Sequence, residues 1–254
     1  MRLSALAFAL ASTATMAAPA LAADLLPPLP EIHHPAPAEA IGGGWYLRGD
    51  IGYAHHPRPR ARAVTPAGTL ASTGEKIADA AVLGAGVGYR VNSWLRADVT
   101  LDHRFATRAT LFDDPRGLPG FALTGRFAST TALANAYLDL GTWSGLTPYV
   151  GAGLGYSWNT VSGLRVGGVD PGVRDRTVGS LAWALMAGVA VDAGHGFAID
   201  LGYRYVDLGR ARTAATPVGY GEVRRLSAHE ARVGIRWSLD QPSSGHVQPI
   251  SRAF

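Results

Sequence analysis

The sequence predicts an all-β chain, an eight-stranded antiparallel up-and-down transmembrane β-barrel. Three observations predict it. The chain opens on a secretory start, it then offers eight strand-length runs with period-two alternation, and the connections between those runs alternate between short and long.

The start comes first. Met1 and Arg2 give a short positive end, Leu3 to Ala17 form an apolar run, and Ala20-Leu21-Ala22 presents small residues where a signal peptidase reads them. Residues 1–22 are therefore expected to be a signal peptide cleaved after Ala22. No later segment approaches the roughly 20 apolar residues of a spanning helix. The longest apolar stretch, Leu181 to Val191, is broken by Gly188 and is strand-sized. Membrane passage must then use a closed barrel, the one other structure that satisfies its backbone there. The absence of cysteine excludes a disulfide framework and a thiolate metal site. Glycines (32) and prolines (16) are many, but a hydrophobic share of 47% argues against disorder.

Residues 23–43 are proline-rich and read as an extended leader. The eight runs follow: Trp45 to Tyr53, Ala81 to Val91, Trp94 to Arg104, Ser129 to Leu140, Thr147 to Trp158, Leu181 to Asp192, Phe197 to Asp207, and Ala228 to Leu239. Each has about ten residues, enough for a tilted strand to cross a bilayer. Asn92-Ser93, Gly141 to Leu146 and Ala193 to Gly196 are short connections; Ala54 to Ala80, Phe105 to Ala128, Asn159 to Ser180 and Leu208 to Ser227 are long and polar. A membrane barrel carries short turns on one rim and long external loops on the other, which puts the long connections outside.

Within the runs one face is apolar and the other polar. Trp45, Leu47, Ile51 and Tyr53 oppose Tyr46, Arg48 and Asp50, and Val233, Ile235, Trp237 and Leu239 oppose Arg232 and Arg236. Gly84, Gly86, Gly88, Gly151, Gly153 and Gly155 fall on the polar face, and their spacing does not match a dinucleotide-binding motif. A soluble barrel alternates too, so two further patterns decide. Aromatic residues of the apolar face cluster at the strand ends, with Trp45, Tyr89, Phe197 and Trp237 toward the short-turn rim and Tyr53, Tyr156, Trp158, Trp183 and Tyr205 toward the long-loop rim. Two aromatic girdles flanking an aliphatic band suit two bilayer interfaces. The polar face holds seven arginines (Arg48, Arg90, Arg96, Arg104, Arg204, Arg232, Arg236) and seven acids (Asp50, Asp98, Asp102, Asp139, Asp192, Asp200, Glu230). Charges shut away from water must be paired, so this balance predicts an ion network inside the barrel.

With those residues in hand, the chain resembles the small outer-membrane β-barrels, the OmpA-like, porin-family and opacity-like surface proteins of Gram-negative bacteria. The matching stretches are GWYLRGDIGY, NAYLDLG, TPYVGAGLGY, DLGYRYVDLG and HEARVGIRW, within Gly44 to Leu239. The resemblance implies an outer-membrane barrel over 44–239 with a periplasmic tail over 240–254. Arg232, Gly234, Trp237 and Leu239 resemble the terminal-strand signal that such barrels present to their insertion machinery, here followed by fifteen more residues.

Chemistry is sparse. His229 beside Glu230 and His103 beside Asp102 are strand neighbours that point to opposite faces, and neither histidine has a serine in an evident local motif. His33-His34 and His55-His56 read as solvated loop residues, so no metal or cofactor is expected. The long connections hold fourteen basic residues, Arg58, Arg60, Arg62, Lys76, Arg210, Arg212, Arg224 and Arg225 among them, against seven acids. At the outer rim they would meet the phosphates of lipopolysaccharide, and nucleic acid is a poor partner for an exported barrel. The functional expectation is a non-enzymatic surface barrel supporting envelope integrity. The alternatives are a narrow passive channel and a lipid-A-modifying enzyme.

Overall fold

The computed structural model describes residues 43–66, 68–71, 75–112, 122–215 and 220–239. The expected signal peptide, all but the end of the leader, and the tail from 240 lie outside the described residues. In chain order the strands are β1 (Gly44–His55), β2 (Arg60–Thr65), β3 (Gly68–Ala71), β4 (Lys76–Ile77), β5 (Ala80–Arg90), β6 (Leu95–Phe112), β7 (Leu123–Asp139), β8 (Leu146–Val166), β9 (Arg176–Gly194), β10 (Phe197–Arg212) and β11 (Tyr220–Ser238).

The eight expected runs fall in β1 and β5 to β11, which pair in sequence order, all antiparallel. β1 then pairs with β11 from Tyr46↔Ser238 to His55↔His229, closing the barrel. Every strand edge in this ring is used, as a wall in lipid requires. The short turns are made by local chemistry. Asn92 Oδ1 accepts from the backbone N–H groups of Trp94 (3.0 Å) and Leu95 (2.7 Å) between β5 and β6. Asp192 Oδ1 accepts from Gly194 N–H at 2.9 Å between β9 and β10.

The strands are longer than expected. β6 to β11 run for 16 to 21 residues, so much of what reads as long loop in the sequence is wall. The reason is an inversion of polarity. Along β7 the side chains of Tyr137, Asn135, Thr131 and Ser129 point inward while Ala136, Ala134 and Leu138 face out. Further up the same strand Phe127 and Leu123 are buried, and Arg126 is exposed between them. Along β7 the period of two continues while the apolar face changes; in β6, β8, β10 and β11 it slips by one residue at bulges. Since about ten residues cross the bilayer, the remainder of each strand stands clear of it.

The first long connection helps to complete this upper wall. β2 pairs with β11 from Val64↔Tyr220 to Arg60↔Arg225, taking over where β1 ends, and β3 pairs with β2. β4 pairs with β6 through Lys76↔Thr110 and Ile77↔Ala109. The core of the upper half is apolar, built from Ile77, Val82, Leu111, Leu123, Phe127, Val161, Leu164, Leu208, Val223 and Leu226. His56 is buried among them with its ring 5.9 Å from that of Phe127, against the expectation of a solvated loop histidine. Burial pushes its pKa down to about 4, with help from the Arg104 charge.

Candidate functional site

The lower lumen holds the ion network. At its centre Glu230 and Asp102 are both 0% exposed. Glu230 accepts from Arg104 Nε (2.7 Å), Arg204 Nε (2.8 Å) and Arg232 Nη1 (3.1 Å). Asp102 accepts from Arg204 Nη1 (2.9 Å) and Arg232 Nη2 (2.6 Å). Arg232 also lies 3.6 Å from Asp50, which takes a two-pronged contact from Arg48 at 2.7 and 3.0 Å. Arg48 Nη1 reaches on to Asp98 at 2.9 Å and donates to the Tyr137 hydroxyl at 2.9 Å. Asp98 is further held by Asn135 (2.7 Å) and the Tyr46 hydroxyl (3.1 Å). A continuous ladder of charge thus joins β1, β6, β10 and β11.

Glycine makes the ladder fit. A Cβ at Gly84 would sit 2.5 Å from Arg232 Nη2, and one at Gly234 would sit 2.5 Å from Asp50 Oδ1. Gly234, which the sequence offers as part of an assembly signal, therefore also has a packing duty inside the barrel.

Toward the short turns, Arg96 lies between the rings of Tyr137 and Tyr149, 4.5 and 4.6 Å from their centroids, and donates to Asp139 at 2.9 Å. Arg236 stands 3.6 Å from Asp200. These two pairs meet the ladder through tyrosines, Arg96 against the ring of Tyr137 and Arg236 against that of Tyr46 at 5.5 Å. Two residues expected in the network lie elsewhere. Arg90 and Asp192 are exposed and line an open mouth of about 630 Å³ at the short-turn rim, where water serves both charges and Asp192 caps its turn. Between the ladder and the tyrosines the described residues leave a void of about 20 Å³ beside Arg48, Asp50 and Tyr149, room for about one water.

The outer wall is the reverse of this lumen. Val99 and Leu101 are each 57% exposed and Leu181 is 75% exposed, in a band continuous with Ile51, Leu83, Leu154, Leu201 and Ile235. A soluble surface rarely carries so broad an apolar patch. The expected girdle residues all lie on this face. At the short-turn rim Trp45 meets Tyr89 edge-on at 5.2 Å and Phe197 stacks on Trp237 at 5.9 Å. At the long-loop rim Tyr156 meets Trp158 at 5.3 Å and Trp183 meets Tyr205 at 5.4 Å. Tyr53 donates to Asp79, whose carboxyl this bond holds below the usual carboxylate range, and His55 Nδ1 lies 2.9 Å from the same group. Sequence reasoning missed Phe105 and Tyr203 in the upper girdle and Trp94 and Trp143 at the lower rim, all exposed. Outward alternation marks Phe105 and Tyr203; the other two sit at or beside turns.

His229 faces out and lies 2.5 Å from the Tyr203 hydroxyl, while Glu230 faces in. His103 faces out toward Thr130 at 2.9 Å, while Asp102 faces in. Neither neighbouring pair shares a site.

An apolar exterior, a charged interior and two aromatic rings frame the comparison with known proteins. Residues 6–238 match the family model described as the outer membrane protein beta-barrel domain. The chain belongs to that family. It lies in the outer membrane. A protein of Brucella suis is 32% identical over 222 residues, covering 76% of this chain and 77% of that one. A putative adhesin of Rickettsia prowazekii is 24% identical over 212 residues, covering 80% of this chain and 90% of its own length. Among solved structures, the outer membrane protein OprG of Pseudomonas aeruginosa superposes with a TM-score of 0.59 at 16% identity, covering 77% of this chain and 96% of that one. At that identity the likeness concerns the fold.

Proposed function

We propose that this chain is a non-enzymatic surface barrel that braces the outer membrane and meets anionic surface material, lipopolysaccharide first, through its basic long-loop rim. The observation that carries the reading is the filled interior. The ion ladder and tyrosines occupy the middle of the lumen, with a void of about 20 Å³ beside them and the open mouth of about 630 Å³ confined to the short-turn rim, and apolar side chains pack the upper half. An eight-stranded barrel has room for little more than its own side chains. Work is then left to the wall and the rim. The long-loop rim faces outside in this reading, as the alternation of short and long connections expects. That rickettsial relatives are named putative adhesins supports a role in surface contact.

A deletion strain tests the reading directly. It should become more permeable to bulky antibiotics and detergents, and the purified protein should give no stepwise conductance in a planar bilayer. Steady single-channel steps would favour a passive channel, and an altered lipid-A mass spectrum in the deletion strain would favour an enzyme. Epitope tags at Gly68, Gly117, Gly172 and Gly219 should be reachable on intact cells, and a tag at Gly145 should not.

A further inference from the structure

Above the upper girdle, β4, β6, β7 and β8 lie side by side and present four cations on one outer face. One rung of the wall reads Lys76, Thr110, Thr124, Arg165 through successive strand pairings. The next rung toward the membrane reads Arg108, Arg126, Ser162. Ala109, Leu111, Leu123, Phe127, Val161 and Leu164 alternate with them and are buried, so the cations and hydroxyls share the outward side.

Arg108 and Arg126 are direct cross-strand partners. Like charges so placed destabilise a sheet unless something of opposite sign lies between them. Both are exposed, as are Lys76 and Arg165, and none of the four forms an ion pair with an acid among the described residues. The described carboxylates that flank β4 and the start of β9 are engaged. Asp79 holds Tyr53 and His55, Asp175 accepts from Gly163 N–H at 3.1 Å, and Glu75 has a contact of its own. On the neighbouring wall Arg62 is answered by Glu222, 2.6 Å away. On this face no acid among the described residues does the same for the four cations.

Height gives the anion's place. Arg126 lies four residues along β7 beyond Thr130, which pairs with the girdle residue Trp158. At a rise of about 3.4 Å per residue and a tilt near 40°, that is roughly 10 Å above the aromatic ring. Girdle aromatics sit at headgroup level, so the plate stands where the phosphates of a large outer-leaflet headgroup lie. Guanidinium forks and hydroxyls on adjacent strands suit phosphate oxygens, the forks by charge-assisted bonds and the hydroxyls as extra donors.

We propose that Lys76, Arg108, Arg126 and Arg165, with Thr110, Thr124 and Ser162, form a phosphate-binding plate for the headgroup of lipopolysaccharide on this side of the barrel. The proposal deepens the surface-contact reading and rests on its orientation. It names a lipid-bound phosphate, and the same chemistry could take free phosphate.

The test uses the mature protein in detergent, titrated with short-chain lipopolysaccharide, its dephosphorylated form, inorganic phosphate and a heparin fragment. Wild type should bind the phosphorylated lipid at least tenfold more tightly than the dephosphorylated one. The double substitution Arg108→Gln and Arg126→Gln should weaken that binding about tenfold or more, Arg108→Lys with Arg126→Lys should lose less, and Arg90→Gln on the other rim should stay within twofold. The heat-dependent gel shift reports whether each variant has folded, and these surface changes should leave it in place. Binding unchanged in the double glutamine variant, or equal for the dephosphorylated lipid, would overturn the plate. Displacement of the lipid by millimolar phosphate or by the heparin fragment would overturn its assignment to lipid. Because the readout is binding in solution, it can fail while the envelope phenotype of the deletion strain holds, and the reverse.

Discussion

Along β11 the lumen changes character within a few residues. Val223, Leu226 and Ala228 end an apolar stack, and Glu230, Arg232 and Arg236 begin the ion network, while the outer face passes from Arg225 and His229 to Val233, Ile235 and Trp237. The two halves of the barrel are held by opposite means. Where lipid lies outside, the wall is apolar outward and the space within is filled by paired charge. Where water lies outside, the wall turns its polar face outward and the interior becomes an ordinary hydrophobic core. Each strand stays half apolar throughout. A segment apolar on both faces would approach the composition of a spanning helix, and a segment polar on both would hold neither half together. The lesson is that the environment beyond the wall sets the phase of the alternation, and the lumen takes what is left.

The comparison breaks most readily at Glu230. Its carboxylate serves Arg104, Arg204 and Arg232, so Glu230→Ala leaves buried guanidinium groups short of partners. A loss of about 3–5 kcal/mol is expected, read as a clear fall in the temperature of the heat-dependent gel shift. An unchanged transition would mean that charge does not hold the lower half.

Phe127→Ala makes the matching cut above. Removing a buried aromatic ring costs about 3–5 kcal/mol where the cavity cannot collapse, but the damage should stay local. Proteolysis should open sites between Arg108 and Arg126, and the gel-shift temperature should move much less than for Glu230→Ala. Equal shifts for both variants would show that the halves unfold as one unit.

Val99→Arg tests the two sides of the lower wall. Val99 faces lipid on β6 beside Asp98, which faces the ladder. Arginine at the bilayer midplane costs about 2–4 kcal/mol, so the variant should fold in detergent with reduced stability. If wild type refolds as a soluble monomer without detergent, the outer band is not a lipid face.

The smallest expected effect concerns acid. His56 in the upper core has its pKa lowered from 6.5 to about 4. The folded ring therefore takes up its proton less readily than the unfolded one, and the upper half loses stability as pH falls from about 6.5 toward 4, with no further loss below. By pH 5.5 the loss is on the order of 1 kcal/mol. The His56 ring signals should titrate near pH 4 by NMR, and a midpoint near 6.5 would put the ring in water.

The membrane half was legible in the sequence because its rule is simple. Trp45, Leu47, Ile51 and Tyr53 alternate with Tyr46, Arg48 and Asp50, and the structure puts these sets outside and inside. The upper half was hidden by its own inversion. Leu123, Phe127, Arg126 and Arg108 form an alternating pattern too, yet with arginine on the face that was apolar lower down, they read as the end of a strand. Arg90 and Asp192 were drawn into the network because parity alone cannot say how close a residue lies to the rim. His56 gave no signal, since it is buried against the ring of Phe127 from a distant strand.

One feature of the wall bears on the order in which the molecule is made. β4 finds its partner Thr110 on β6 within the same part of the chain, whereas β2 must wait for β11, whose Glu222 lies 160 residues beyond Arg62. Joining so distant a pair is entropically slow, and its reward arrives only after the intervening strands are in place. The seam between β2 and β11 is therefore among the last to close during biogenesis. The β1–β11 seam, whose partners lie more than 170 residues apart, closes under the same constraint, so the wall in the bilayer and the wall above it are both completed on β11.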